Sequence, residues 1–131
     1  MLDYVIHRLT YTEAKERYPD VEFKEGYMPT SVYLGFWEGA YVGYMAGSFE
    51  NINTINIQYM QLMPEFLGKK VVRIIREIIK KIHKDFKYIT MNADNTKNNM
   101  IRILLSAGFK IIGTKADEDI TVVILLKTAN G

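Results

Sequence analysis

Residues 55–84, INIQYMQLMPEFLGKKVVRIIREIIKKIHK, decide the fold. Ile55 to Met63 is apolar and β-rich and reads as a strand. Pro64 removes a ladder donor and ends it, so Pro64 to Leu67 make the turn. From Gly68 on, apolar residues recur at Val71, Ile74, Ile75, Ile78 and Ile82, with Val72 and Ile79 widening the stripe. That is helical spacing with one buried face. A strand feeding directly into a helix start can present main-chain N–H groups to an anion.

Upstream, Tyr4 to Arg8 reads as a first strand, followed by the helix-forming TEAKER with Thr10 or Thr12 as cap and Pro19 as its stop. The polar stretch Asp20 to Thr30 reads as a loop, placed to choose a substrate if it covers a cleft. Ser31–Trp37 and Ala40–Phe49 form a hairpin about Glu38-Gly39, and a polar turn carries the chain into Ile55. Three consecutive strands then make an antiparallel meander. Alternation places Tyr33 and Trp37 on one face, to line a cleft, to form a dimer contact or simply to pack, and Val32, Leu34 and Phe36 on the other, as core. Downstream, Lys87–Asn92 is a strand parallel to the one before the long helix, because a β–α–β crossover requires it. Met100–Ala107 is a short helix closed by Gly108, and Phe109–Thr114 and Ile120–Lys127 are the last strands. The expected class is α/β (α+β), a mixed and mostly antiparallel sheet flanked by helices, in one domain spanning residues 1–131.

Composition narrows the chemistry. There is no cysteine, which removes disulfides, thiolate metal sites and a cysteine nucleophile. His7 and His83 lie far apart without ligand spacing, so no zinc site is expected. No run approaches the ~20 apolar residues of a membrane span, and the N-terminus lacks signal-peptide character. A cytoplasmic location is the expectation. The long helix has a basic outer face, including Arg76, Lys80, Lys81 and Lys84, yet no aromatic or arginine-rich recognition element accompanies it. It reads as a solvated face rather than a nucleic-acid interface.

Three pieces in this order carry a resemblance: the hairpin VYLGFWEGAYVGYMAG, the segment LMPEFLGKKVVRIIREIIKKI, and NADNTKNNMIRILLSAGFKIIGT. Together they resemble the GNAT superfamily of acyl-CoA-dependent N-acetyltransferases. The resemblance implies the GNAT fold, acetyl-CoA as cosubstrate, and an amine of a small molecule or protein as acceptor. It puts the pyrophosphate on the loop and helix start, Leu67, Gly68, Lys69, Lys70, Val71, Val72 and Arg73. It puts the acyl arm against the main chain of Met60 and Leu62, with Asn92 across the cleft. The chain departs from the family pattern in three places. Leu67, Lys70 and Val72 stand where the family has a leading arginine or glutamine and two spaced glycines. Leu104 stands where a tyrosine often protonates the thiolate, so the nearest hydroxyl on that helix is Ser106. The strand Ile55–Met63 has no glutamate base, leaving Tyr59 with Gln58 and Gln61. Tyr59, Asn92 and Ser106 are the catalytic candidates. The alternative is a non-catalytic binding or structural module on the same fold, of the kind seen among small divergent GNAT-like proteins of tailed phages.

Overall fold

A computed structural model describes residues 4–23, 29–63, 71–94 and 98–129. The elements are β1 (Tyr4–Leu9), α1 (Tyr11–Arg17), β2 (Ser31–Trp37), β3 (Ala40–Asn51), β4 (Thr54–Leu62), α2 (Val71–Ile82), β5 (Tyr88–Asp94), α3 (Asn98–Ser106), β6 (Lys110–Asp117) and β7 (Ile120–Thr128). The strands form one sheet in the order β1-β2-β3-β4-β5-β7-β6. Every neighbouring pair is antiparallel except β4–β5. This is the expected mixed, mostly antiparallel sheet, with the one parallel pair on either side of α2.

Local chemistry sets the element ends. Thr10 opens α1 with a capping box: its hydroxyl accepts from the Glu13 N–H, and the Glu13 carboxylate accepts from the Thr10 N–H. Glu38 and Gly39 both take positive φ, 49° and 83°, the left-handed pair that a two-residue hairpin requires. Gly108, at φ 106°, ends α3, and the Phe109 N–H reaches back to the Leu104 carbonyl.

Helices cover both faces of the sheet. On one face, Ile74, Ile75, Ile78, Ile79 and Ile82 of α2 and Leu104 of α3 bury against Met45, Ile55, Ile57, Ile89 and Leu125. On the other, Ala14 of α1 packs with Leu9, Val32, Leu34, Tyr44 and Ala46. Of the readings for Tyr33, packing is the outcome: it is buried under α2, where its hydroxyl donates to Asp85 at 2.9 Å. Asp85 also pairs with Arg8 at 3.1 Å, which ties β1 to the end of α2.

Two glycines let β3 lie close against β4. A Cβ on Gly47 would collide with the Asn56 main chain, and one on Gly43 with the Gln61 main chain. The β3–β4 register shifts between these glycines: Gly47 pairs with Ile57 and Ala46 with Tyr59, leaving Gln58 as the extra residue of a bulge. The bulge inverts side-chain parity along β4. Ile55 and Ile57 before it and Met60 and Leu62 after it all face α2, whereas Tyr59 turns to the α1 face and stacks on Tyr44 at 6.0 Å.

His83, one residue beyond α2, is half-buried. Its Nδ1 lies 2.9 Å from the Phe86 carbonyl, and its buried Nε2 meets no partner among the described residues. Burial lowers its pKa, and Lys127 adds to that effect. The unfolded chain therefore takes up a proton at His83 that the folded chain refuses. Its stabilising effect is complete above the unfolded pKa of about 6.5 and is lost as pH falls below it. The melting temperature should drop between pH 7.5 and 5.5, and drop less in His83→Gln. Equal drops would show that other groups set the acid limb.

Candidate active site

The site is built by the one parallel pair. β4 and β5 stay in register from Thr54↔Tyr88 to Ile57↔Met91 and pair no further. Asn56 clasps them just before they part: its Nδ2 donates to the Thr90 hydroxyl at 2.8 Å. Beyond the clasp β5 continues to Asp94 along β7, and β4 continues to Leu62 along β3. A wedge opens between them. Its lining is Ile57, Gln58, Tyr59, Met60, Met91, Asn92, Ala93 and Met100, around about 280 Å³.

Ladder parity shows which main-chain groups face the wedge. The Met63 N–H bonds to the Val42 carbonyl. In an antiparallel ladder the hydrogen-bonded residues alternate, so with this register Gln61 and Tyr59 also turn their main chain toward β3. Met60 and Leu62 turn theirs toward the wedge. Likewise, Ala129 donates to Lys87, which assigns Ile89, Met91 and Ala93 to β7 and turns the main chain of Asn92 and Asp94 toward β4. The wedge thus has a polar main-chain edge on each wall and apolar side chains from Met60, Met91 and Met100.

A second cavity, of about 480 Å³, opens beside β4 and reaches the loop after α1. Arg17, Tyr18, Pro19, Asp20, Val21, Glu22, Phe36, Tyr41, Gln61 and Met63 line it. The Tyr41 hydroxyl donates to Gln61 Oε1 at 3.4 Å. Burial raises the Tyr41 pKa, which keeps that hydroxyl protonated. Gln61 lines this cavity while its chain neighbours Met60 and Leu62 face the wedge, so the two spaces share β4 as a wall.

Acetyltransferases are among the solved structures similar to this one. Aminoglycoside acetyltransferase AAC(6')-Ib with coenzyme A superposes with a TM-score of 0.71 at 17% identity, covering 98% of this chain and 96% of that one. A GNAT family acetyltransferase from Elizabethkingia anophelis with acetyl-CoA bound gives 0.64 at 12% identity, covering 95% and 97%. A GNAT family acetyltransferase from Streptococcus pneumoniae gives 0.65 at 10% identity, covering 96% and 99%. The chain has the GNAT fold. No family model and no curated protein sequence matches it.

The GNAT fold brings some of the sequence candidates together and separates others. Tyr59, Met60 and Asn92 all line the wedge, and Leu62 adds its main chain. Ser106 does not join them. It is exposed at the far end of α3, six residues beyond Met100, and its carbonyl accepts from Arg76 at 2.7 Å. Leu104 is fully buried in the core beneath α2. Leu67, Gly68, Lys69 and Lys70 lie outside the described residues, as does the side chain of Val71, which opens α2. Val72 is partly buried against the core, and the Arg73 guanidinium sits 5.8 Å over the Tyr4 ring. Val72 is thus partly committed to packing, whereas Arg73 is an exposed side chain.

Among the described residues, no cluster of three or more His, Asp or Glu could hold a metal. None of their helices is long and apolar enough to cross a membrane. Sequence reasoning missed the cavity beside β4. Its aromatic lining comes from Tyr18, Phe36 and Tyr41, three separate segments with no shared motif.

Proposed function

We propose that this protein is an N-acetyltransferase that moves an acetyl group from acetyl-CoA to an amine. One observation carries the reading: β4 and β5 part beyond Ile57 and Met91, leaving the main chain of Met60, Leu62, Asn92 and Asp94 directed into a wedge lined by Ile57, Met60, Met91, Ala93 and Met100 with Gln58, Tyr59 and Asn92. An amide-bearing arm such as pantetheine can extend each strand edge, and its methylenes can pack on Met60, Met91 and Met100. An N–H from Met60 or Leu62 would polarise the thioester carbonyl. The amine nitrogen then attacks the carbonyl carbon, the C–N bond forms, the C–S bond breaks, and the thiolate leaves. The proton from nitrogen goes to water, and the thiolate takes one from water. With Leu104 in the core and Ser106 distant, no hydroxyl from α3 serves as acid. A missing acid or base lowers the rate by about 10²–10⁴-fold. The pyrophosphate falls to residues 67–73, where the charges of Lys69 and Lys70 would offset the loss of the family's glycines at positions 70 and 72.

The buried Leu104 favours one other reading, a GNAT fold that no longer catalyses. Thermal unfolding with acetyl-CoA tests the binding that the transfer reading needs and the non-catalytic reading does not. At a hundredfold excess over its dissociation constant, a ligand of the native state adds about 2.7 kcal/mol. That is a rise of roughly 8–10 °C for a domain of this size. An unchanged melting temperature at millimolar acetyl-CoA and CoA would leave only the non-catalytic module.

A further inference from the structure

We infer that the cavity beside β4 takes the acceptor, and that this acceptor is a compact amine on an aromatic or other apolar body rather than a polyhydroxylated one. The inference rests on the acetyl-transfer reading and adds to it the class of substrate.

The lining decides the class. Tyr18, Phe36 and Tyr41 form a connected aromatic wall: Tyr18 and Phe36 rings are 5.3 Å apart, and Phe36 and Tyr41 rings 5.9 Å. Val21, Pro19 and Met63 complete the apolar lining. A volume of about 480 Å³ is in the range of sites for small organic ligands. A sugar-based acceptor carries a hydroxyl on nearly every carbon, and each needs a partner once it leaves water. The aromatic wall offers only the Tyr18 and Tyr41 hydroxyls, and the other polar lining groups are Gln61 and the exposed Arg17, Asp20 and Glu22. The Tyr41 hydroxyl, itself a donor, is already directed at Gln61. Aminoglycosides such as the kanamycin and ribostamycin bound in structural neighbours are thus poor matches for it.

Charge decides the sign. Asp20 and Glu22 are exposed at the rim and, among the described residues, form no ion pair. The one basic lining residue, Arg17, has its guanidinium 5.7 Å over the Tyr18 ring. Two carboxylates against one cation favour an ammonium over a neutral or anionic ligand. Aromatic faces favour it further. Position then connects cavity to chemistry. Gln61 is one residue, about 3.4 Å of strand, from both Met60 and Leu62, so an amine held beside Gln61 stands next to the proposed acyl position.

Calorimetry with 2-phenylethylamine alone tests the cavity without any cosubstrate. The wild type should bind it, Asp20→Asn/Glu22→Gln should bind about tenfold more weakly, and Phe36→Ala should bind more weakly still. Neither kanamycin nor 3-phenylpropionate, the anionic analogue, should compete. Absence of binding, equal binding by the double variant, or displacement by kanamycin would overturn the assignment. The double variant changes only exposed side chains, so its folding is not in question. Acetyl transfer is read separately as thiol release from acetyl-CoA, which the cysteine-free chain leaves without protein background. The two failures are distinguishable. A protein that binds the amine but not acetyl-CoA refutes the transfer reading and upholds the cavity; one that binds acetyl-CoA but acetylates kanamycin in preference to phenylethylamine refutes the acceptor class alone.

Discussion

Gly43→Ala should lower the melting temperature by about 10 °C and abolish most of the stabilisation by acetyl-CoA. Gly43 sits at φ 152° with the Gln61 carbonyl against the position a Cβ would take and the Leu62 Cα 3.1 Å from it. These are main-chain atoms of the neighbouring strand and cannot rotate away as a side-chain end would. Relief requires β3 and β4 to separate, or Gly43 to change conformation and break the ladder. Either costs about 2–4 kcal/mol. The displaced atoms belong to the strand that directs Met60 and Leu62 into the wedge, so fold and ligand binding should suffer together. Gly39→Ala is the control. Gly39 also has positive φ, 83°, but nothing lies within 4 Å of a Cβ there. It should cost only the conformational penalty, about 1 kcal/mol, and leave acetyl-CoA binding intact. Similar losses in the two variants would show that φ alone matters and that the close approach to β4 does not.

Met60→Pro should reduce acetyl transfer by about 10²–10³-fold while costing less stability than Gln61→Pro. The two residues adjoin but turn their main chains opposite ways. By ladder parity the Gln61 N–H is committed to β3, whereas the Met60 N–H faces the wedge. A proline at 61 therefore removes a sheet hydrogen bond and costs about 3 kcal/mol. A proline at 60 removes a donor that the sheet does not use. If that donor polarises the thioester carbonyl, its loss falls on the rate, in the range known for a missing oxyanion-hole donor. Comparing kcat/KM with denaturation midpoints for the pair checks this. Loss of stability at 60 equal to that at 61, with transfer intact, would place the carbonyl elsewhere.

Most of the element order was legible because long apolar periods and turn glycines are strong local signals. The isoleucines of α2, the Glu38-Gly39 turn and Gly108 all read directly. The parallel β4–β5 pair followed from the crossover through α2. What alternation does not settle is which face of a sheet is core when helices cover both. That is why Tyr33 is buried under α2 while Phe36, read as core, borders a cavity. Alternation also fails across a bulge. Gln58 adds one residue to β4, so Tyr59 and Met60 exchange faces relative to an unbroken strand, and the residue that marks the slip, Gly47, lies opposite on β3. The candidate site was legible where it depends on main chain in a known strand, as with Met60, Leu62 and Asn92. It was not where it depends on side-chain direction: Val72 packs inward and Arg73 turns to Tyr4 because the first turn of α2 has a core and an aromatic neighbour to satisfy.

The Asn56–Thr90 clasp has a kinetic meaning. It fixes the apex of the wedge one residue before the strands diverge, so the protein's own side chains set where the divergence begins. On the acetyl-transfer reading, an incoming arm should meet no β4–β5 ladder beyond Ile57 and Met91 that it must break. Its apparent affinity should then not be reduced by a competent fraction below one. Entry should therefore follow simple second-order kinetics, with an observed rate linear in ligand concentration and no plateau from a preceding opening step.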